Sequence, residues 1–120
     1  MPKIIVIIED DSATQKLYKE ALSTEGFEVV QYFNGNVVMP KIREDNPNLI
    51  LLDIMLPGKK NGFDLLEEIK KDPILKKVPV IMLTNLDSEE QVAKQIGATD
   101  YVVKANISIA DLVKKIKETL

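Results

Sequence analysis

Five short apolar runs, separated by segments with a helical pattern, are the feature that most restricts what this chain can fold into. The runs are residues 4–8, 28–32, 49–52, 78–83 and 101–103. Most of them are continuously apolar rather than alternating, which is typical of parallel strands that are covered on both faces. The run at 28–32 is the most polar, and we therefore expect it at an edge of the sheet.

Helical patterns lie between the runs, and capping residues indicate where some of the helices begin and end. Ser12 is predicted to cap the first helix and Gly26 to stop it, while Ser108 is predicted to cap the last helix. Pro40 lies inside the weakest pattern, at residues 34–45, where it should kink the helix or delay its start. The alternation of strand and helix, repeated five times, predicts an α/β domain with a parallel sheet and helices on both faces.

Two further expectations concern the first and fourth helices. Residues 87–90 have the composition of a capped helix start. The apolar face of the first helix is predicted to consist of Ala13, Leu17, Ala21 and Leu22.

Composition limits the classes of protein to which the chain can belong. Its 120 residues, 45% of them hydrophobic, have room for one domain, which we predict over residues 1–120. A formal net charge of −3 provides no basic surplus, so we expect no direct binding of nucleic acid. The sequence contains neither Cys nor His, which excludes disulfides, thiolate or imidazole metal sites and a phosphohistidine carrier. It has neither an apolar stretch of about 18–20 residues nor a signal-peptide pattern, so we expect no membrane insertion and a cytoplasmic protein.

Polar side chains come at the ends of four of the five predicted strands. Glu9 and Asp10 follow the first strand, Asp53 the third, Thr84 ends the fourth and Lys104 follows the fifth. Ligands of open α/β sheets bind at the carboxyl ends of the strands. Carboxylates gathered there would repel one another, and oxygen ligands without His or Cys favour a hard cation such as Mg²⁺. Together these groups fit a phosphoryl group held by a metal ion, an ammonium and a hydroxyl.

Each of these residues taken alone has a structural explanation. Acidic residues after a strand are often only helix N-caps, and we prefer that interpretation for Asp11. Asp53 could be a turn residue, and a lone Thr or Lys at a strand end is mostly structural. Their joint occurrence, at one strand end after another, favours a functional site.

Four segments then carry a resemblance to a known family. They are IIVIIEDD, LILLDIMLPG followed by NGFDLL, PVIMLTN, and GATDYVVKAN. In this combination the sequence resembles the receiver domain of two-component response regulators over essentially its whole length. The resemblance implies a doubly wound, five-stranded parallel sheet in the order 2-1-3-4-5, the flavodoxin-like or CheY-like (βα)5 fold.

The resemblance also implies a metal-dependent phosphoacceptor. Asp53 would accept the phosphoryl group. Asp10 and Asp53 would ligate Mg²⁺ through their carboxylates, and Met55 would ligate it through its backbone carbonyl. Glu9 would act on a metal-bound water. Thr84 and Lys104 are likewise implied to contact the phosphoryl oxygens.

The implied function is switching by phosphorylation. A sensor histidine kinase or a histidine phosphotransfer protein would donate the phosphoryl group, because this chain has no His. Tyr101 matches the aromatic residue that swings inward on activation and changes the surface that binds a downstream target protein. A second copy of the chain is a further candidate partner after phosphorylation. The resemblance implies a signalling domain rather than an enzyme, with at most slow self-phosphorylation and dephosphorylation.

The sequence departs from the family pattern in four places. Ala105 stands where the family usually has Pro joined by a cis peptide, which leaves the isomer of this bond open. The loop between Pro57 and Gly62 is one residue longer than in common members. The segment from 84 to 104 is about two residues shorter, which should trim the fourth helix, and Pro40 is unusual in the second. No output domain follows the fifth helix, so we expect a stand-alone receiver.

Three other functions are weighed against this one. The main alternative is a pseudo-receiver, a constitutive protein-interaction module with the same fold, but the intact strand-end residues argue against it. A metal-dependent phosphatase using Asp53 covalently lacks a cap domain and a second general acid nearby. A nucleotide- or flavin-binding module is disfavoured because the five glycines form no GxGxxG or GxxxxGK[ST] motif.

Overall fold

In the part of the chain that the structure describes, residues 2–36 and 38–120 of a computed structural model, five parallel strands form one sheet with five α-helices around it. The strands are β1 (Ile4–Ile8), β2 (Glu28–Tyr32), β3 (Leu49–Leu52), β4 (Val80–Thr84) and β5 (Asp100–Val103). The helices are α1 (Ser12–Thr24), α2 (Met39–Asp45), α3 (Gly62–Lys71), α4 (Glu90–Ile96) and α5 (Ile109–Thr119). A 3-10 turn at Lys104–Asn106 precedes α5. None of the helices in these two ranges is long and apolar enough to cross a membrane.

The order of the strands is β2-β1-β3-β4-β5, which confirms the predicted fold class. β2 is an edge strand and is only partly buried, as its polar composition predicted. All four residues of β3 are buried because helices cover both faces of the sheet there. The parallel register aligns the carboxyl ends: Ile8 pairs with Tyr32 on one side and with Leu52 on the other. Polar residues that follow these strands therefore meet at one edge.

Two apolar clusters fill the space between the sheet and the helices. α1 and α5 cover one face, where Tyr18 and Leu112 contribute buried side chains. α2, α3 and α4 cover the other face, where Ile42, Leu66 and Ala93 are buried. Burial of apolar surface on both faces holds the strand ends in a fixed relative position.

Several local expectations about the helices need correction. Asp11, and not Ser12, is the N-cap of α1, because its Oδ2 accepts a hydrogen bond from the Thr14 N–H at 2.8 Å. α4 begins at Glu90, as the segment 87–90 predicted, but its N-cap Glu89 makes no side-chain capping hydrogen bond, so only the predicted cap is wrong. Ser108 caps α5 as predicted, by accepting from Asp111 N–H.

The buried face of α1 also differs from the prediction. Leu17 is 50% exposed, whereas Gln15, Tyr18 and Leu22 face the sheet at positions i, i+3 and i+7. The physical reason is that the amide of Gln15 finds buried backbone carbonyls, so this polar side chain can occupy an inward position. Periodicity that counts only apolar residues cannot detect such a position.

α2 shows which effect Pro40 has. The helix begins only at Met39, so that Pro40 falls in its first turn, where a missing N–H removes no helical hydrogen bond. Of the two predicted effects, the delayed start is therefore the one that occurs.

Gly62 holds the loop after β3 close to the strand end. Its N–H donates to the Ile54 carbonyl at 2.8 Å. A Cβ built on Gly62 would lie only 2.1 Å from the carbonyl oxygen of Asp53. Only glycine permits this approach, so the position of Asp53 depends on Gly62.

We predict that Gly62→Ala lowers the free energy of unfolding by about 2–3 kcal/mol, because the backbone at Asp53 and Ile54 must move to admit a methyl group. Gly26→Ala is the control: it has open space around the new methyl group but a φ of +91°, and should cost about 1–2 kcal/mol. Urea unfolding measures both. Equal losses for the two variants would contradict the steric argument.

Candidate functional site

Three carboxylates lie together at the carboxyl ends of β1 and β3. Glu9 and Asp10 follow β1, Asp53 follows β3, and one oxygen of each lies within 4.8 Å of the others. Glu9 and Asp53 are buried, whereas Asp10 is exposed to solvent. The structure thus brings together the three acidic residues that the sequence placed at one edge of the sheet.

A single ammonium group lies between two of these carboxylates. Lys104 Nζ donates to Asp53 Oδ2 at 2.8 Å and also to Glu9 Oε2, and its side chain is only 14% exposed. Lys104 follows β5, two strands away from β3, so its long side chain crosses the end of β4 to reach the cluster. The Lys104–Ala105 peptide bond is trans.

Burial and hydrogen bonding shift the pKa values of Glu9 and Lys104. Burial, together with the hydrogen bond to Asp53, raises the pKa of Glu9 to about 7, although Lys104 acts in the opposite direction. Burial alone would lower the pKa of Lys104, but its hydrogen bonds to Asp53 and Glu9 outweigh that effect and raise it. The pocket therefore favours a charged lysine and disfavours a third full negative charge.

The two oxygens of the Asp53 carboxylate have different partners. Oδ2 accepts from Lys104, and Oδ1 accepts from the backbone N–H of Met55 at 3.2 Å. The Met55 side chain itself is 60% exposed. The two hydrogen bonds fix the orientation of the carboxylate. The assignment of the Met55 carbonyl as a metal ligand stays a prediction.

Thr84 and Tyr101 both contact the backbone of Leu86. Thr84 is fully buried at the end of β4, and its Oγ1 accepts from the Leu86 N–H at 3.4 Å. The hydroxyl of Tyr101, a buried residue of β5, donates to the Leu86 carbonyl. The loop after β4 therefore connects the hydroxyl at the end of β4 to the aromatic side chain of β5.

Gln15 is the residue at this site that the sequence analysis missed. Its side chain is 1% exposed, and its amide donates to the backbone carbonyl of Glu9 at 3.1 Å. The signal that could have found it is its spacing from Tyr18 and Leu22, which places it on the inward face of α1.

The donor set fits a hard divalent cation. Three carboxylate oxygens within 4.8 Å of one another are ligands of the type that Mg²⁺ and Mn²⁺ prefer. Lys104 supplies one positive charge against up to three negative charges, so a divalent cation would neutralise the remainder. The residues present therefore support a divalent metal site.

Residues 5–117 match the family described as response regulator receiver domain. The chain belongs to this family. As a receiver domain, it is a phosphoacceptor of two-component signal transduction, and it interacts with histidine kinases or phosphotransfer proteins.

Solved structures of similar sequence support the same conclusion. A CheY-like receiver domain protein from Methanospirillum hungatei is 35% identical, with a TM-score of 0.89, over 99% of this receiver domain and 94% of that chain. The phosphorylated cyanobacterial phytochrome response regulator RcpA is 33% identical, with a TM-score of 0.81, over 99% and 91% of the two chains. The Mn²⁺-bound form of response regulator Rcp1 is 33% identical, with a TM-score of 0.80, over 98% and 91%.

We predict that Lys104→Met lowers the free energy of unfolding by about 3 kcal/mol, because it leaves the buried Glu9 and Asp53 carboxylates without their cation. Lys117→Met is the matched control, since Lys117 pairs with Glu25 at the surface and should contribute about 1 kcal/mol or less. Urea unfolding without divalent ions compares the two. If Lys104→Met costs no more than Lys117→Met, the ammonium does not have the stabilising role assigned to it.

Proposed function

We propose that Asp53 is the residue that accepts the phosphoryl group. The observation that carries this proposal is the placement of its carboxylate: buried at a strand end, beside two further carboxylates, and bonded to Lys104. Glu9 shares the acidic cluster and the contact with Lys104, so the choice of Asp53 over Glu9 follows the LILLDIMLPG segment, in which the resemblance to receiver domains makes Asp53 the acceptor. The RcpA structure, which is of a phosphorylated response regulator, supports phosphorylation of this receiver domain.

The proposed reaction is an in-line transfer from a phosphohistidine. An Asp53 oxygen attacks the phosphorus, a P–O bond forms and the P–N bond to the donor imidazole breaks. The donor histidine, protonated on its other ring nitrogen, leaves as neutral imidazole. The histidine belongs to the donor protein because this chain contains none. Positioning and charge neutralisation are most of what such a transfer requires, and the fixed Asp53 carboxylate supplies the positioning.

The metal ion is proposed to be Mg²⁺, held by the carboxylates of Asp10 and Asp53 and by the Met55 carbonyl, with Glu9 acting on a metal-bound water. The ion supplies charge neutralisation when bound. The Mn²⁺-bound form of Rcp1 supports a divalent ion at this kind of site. Lys104 supplies a further positive charge beside Glu9 and Asp53. The metal ion and the ammonium would together offset the charge that the phosphoryl group brings.

The proposed switch runs from Asp53 to the surface through Thr84. We propose that the hydroxyl of Thr84 turns towards the phosphoryl oxygens, which the ammonium of Lys104 also contacts, and that this movement breaks the hydrogen bond that Thr84 now accepts from the Leu86 N–H. The Leu86 carbonyl accepts the hydrogen bond from the Tyr101 hydroxyl, so a movement of the loop that carries Leu86 changes the position of the aromatic ring. The proposed result is a changed surface for a downstream target protein, or for a second copy of the chain.

Further parts of the proposal follow from the sequence. We propose that the receiver domain extends over residues 1–120 and that it acts in the cytoplasm as a signalling domain rather than as an enzyme. A pseudo-receiver is the competing function, and it differs in requiring no phosphorylation.

Asp53→Asn should abolish phosphorylation and keep the fold, because it removes the nucleophilic oxygen with little change of shape. Intact mass after incubation with acetyl phosphate and Mg²⁺ detects the added phosphoryl group. Asp11→Asn is the matched control: Asp11 also follows a strand but serves as an N-cap, and this variant should be phosphorylated as the wild type is. A normal yield of adduct on Asp53→Asn would place the acceptor elsewhere, and no adduct on the wild type would support a pseudo-receiver.

Removal of divalent ions with EDTA should slow phosphorylation at least about tenfold, which corresponds to ~1.4 kcal/mol of barrier. Asp10→Asn should raise the Mg²⁺ concentration needed for half of the maximal rate, whereas Asp11→Asn should leave it unchanged. Initial rates across a Mg²⁺ titration measure both effects. Equal rates in EDTA and in Mg²⁺ would show that the proposed metal role is wrong.

A further inference from the structure

The side chain of Gln15 connects α1 to the carboxyl ends of β1 and β2 through hydrogen bonds to backbone carbonyls. Its Nε2 lies 2.9 Å from the Tyr32 carbonyl, 3.1 Å from the Glu9 carbonyl and 3.2 Å from the Ile7 carbonyl. The last pair of the β1–β2 ladder is Ile8 with Tyr32, so the Glu9 carbonyl lies just beyond the ladder. Buried carbonyls need a donor, and the Gln15 amide supplies it there.

The carbonyl that Gln15 holds belongs to the peptide between two of the clustered carboxylates. Side chains alternate along β1: Ile7 faces α1 and α5, whereas Ile8 faces the other helices. A continuing strand would send Glu9 and Asp10 to opposite faces. Both nevertheless contribute oxygens to the same cluster, so the chain must leave the strand conformation at the Glu9–Asp10 peptide. The hydrogen bond from Gln15 fixes this peptide in its turned orientation.

A second glutamine fixes the Gln15 amide itself. Gln31 Nε2, from the edge strand β2, donates to Gln15 Oε1 and to the Gln15 backbone carbonyl, both at 3.0 Å. Because Oε1 accepts from Gln31, the NH2 end of Gln15 must point towards the carbonyls of Glu9 and Tyr32. The orientation of the donor is therefore set by a network and not by Gln15 alone.

We propose that Gln15 is a positioning residue for the metal site, which holds the Glu9 carbonyl so that the carboxylates of Glu9 and Asp10 face one divalent cation. The inference rests on the proposed function, since it concerns the metal ion of that same site. Groups that orient metal ligands without touching the metal are known to affect metal affinity strongly. Gln15 acts here through the backbone of the ligand-bearing segment.

The test is Mg²⁺ binding by the full chain, measured by isothermal titration calorimetry. Gln15→Met keeps the size of the side chain and removes the donor, and we expect it to raise the dissociation constant for Mg²⁺ about tenfold. The Mg²⁺ concentration for half-maximal phosphorylation by acetyl phosphate should rise equally. The maximal rate at saturating Mg²⁺ should stay within about twofold of wild type, because the residue acts on metal binding and not on the transfer step.

Leu22→Ala is the control for a merely structural role. Leu22 is buried on the same face of α1, so this variant loses packing without touching the Glu9 carbonyl, and its Mg²⁺ affinity should equal that of wild type. Gln31→Met is the second variant, which leaves the Gln15 donor in place but frees its amide to turn. Gln31→Met should raise the dissociation constant for Mg²⁺ by a smaller factor than Gln15→Met does. If Gln15→Met does not fold, the Mg²⁺ affinity of Gln31→Met tests the positioning role in its place.

The outcomes separate this inference from the proposed function. Wild-type affinity in folded Gln15→Met, or in Gln31→Met when Gln15→Met does not fold, overturns the positioning role alone. An equal loss of affinity in Leu22→Ala also overturns it, because general destabilisation would then explain the effect. If the wild type itself does not bind Mg²⁺, the proposed metal site fails and this inference fails with it.

Discussion

The ammonium group of Lys104, placed between the carboxylates of Glu9 and Asp53, is the interaction on which the rest of the site depends. The strand order puts β1 beside β3, and therefore brings acidic residues into a crowded pocket where they repel one another. The buried ammonium of Lys104, the residue after β5, offsets part of that repulsion. It does not neutralise the pocket completely, since Asp10 adds a further carboxylate. The incomplete balance makes the pocket suited to a divalent cation, and such a cation together with Lys104 would offset the charge of a phosphoryl group.

The loop after β4 joins two further residues of the proposed switch. Lys104 approaches Asp53 across the end of β4, where Thr84 is buried. Thr84 and Tyr101 are both bonded to the backbone of Leu86, one to its N–H and the other to its carbonyl. Under the proposed function, a change of partner at the Thr84 hydroxyl would reach Tyr101 of β5 through one residue, Leu86.

The sequence predicted the strands, their order by resemblance, and the residues that meet at the strand ends, because continuous apolar runs and the polar residues that follow them are local signals. Details that depend on three-dimensional partners were not predictable in the same way. Leu17 faces solvent because Gln15 finds buried carbonyls, and those carbonyls come from two different strands. The N-cap of α1 was by contrast predictable to within one residue, since capping was expected at Asp11 or Ser12 and the Asp11 carboxylate accepts from the Thr14 N–H. The roles of the site residues stay predictions that phosphorylation experiments must test.

The three carboxylates carry more negative charge than Lys104 offsets, and a divalent cation would balance the remainder. The free energy of unfolding of the wild type and of Asp10→Asn, each measured in EDTA and in saturating Mg²⁺, separates these contributions. Asp10→Asn should be the more stable protein in EDTA, because a repelling carboxylate is gone, and Mg²⁺ should stabilise the wild type more than the variant. A wild type that is the more stable in EDTA, or equal stabilisation of both proteins by Mg²⁺, would show that the cluster is not balanced in this way.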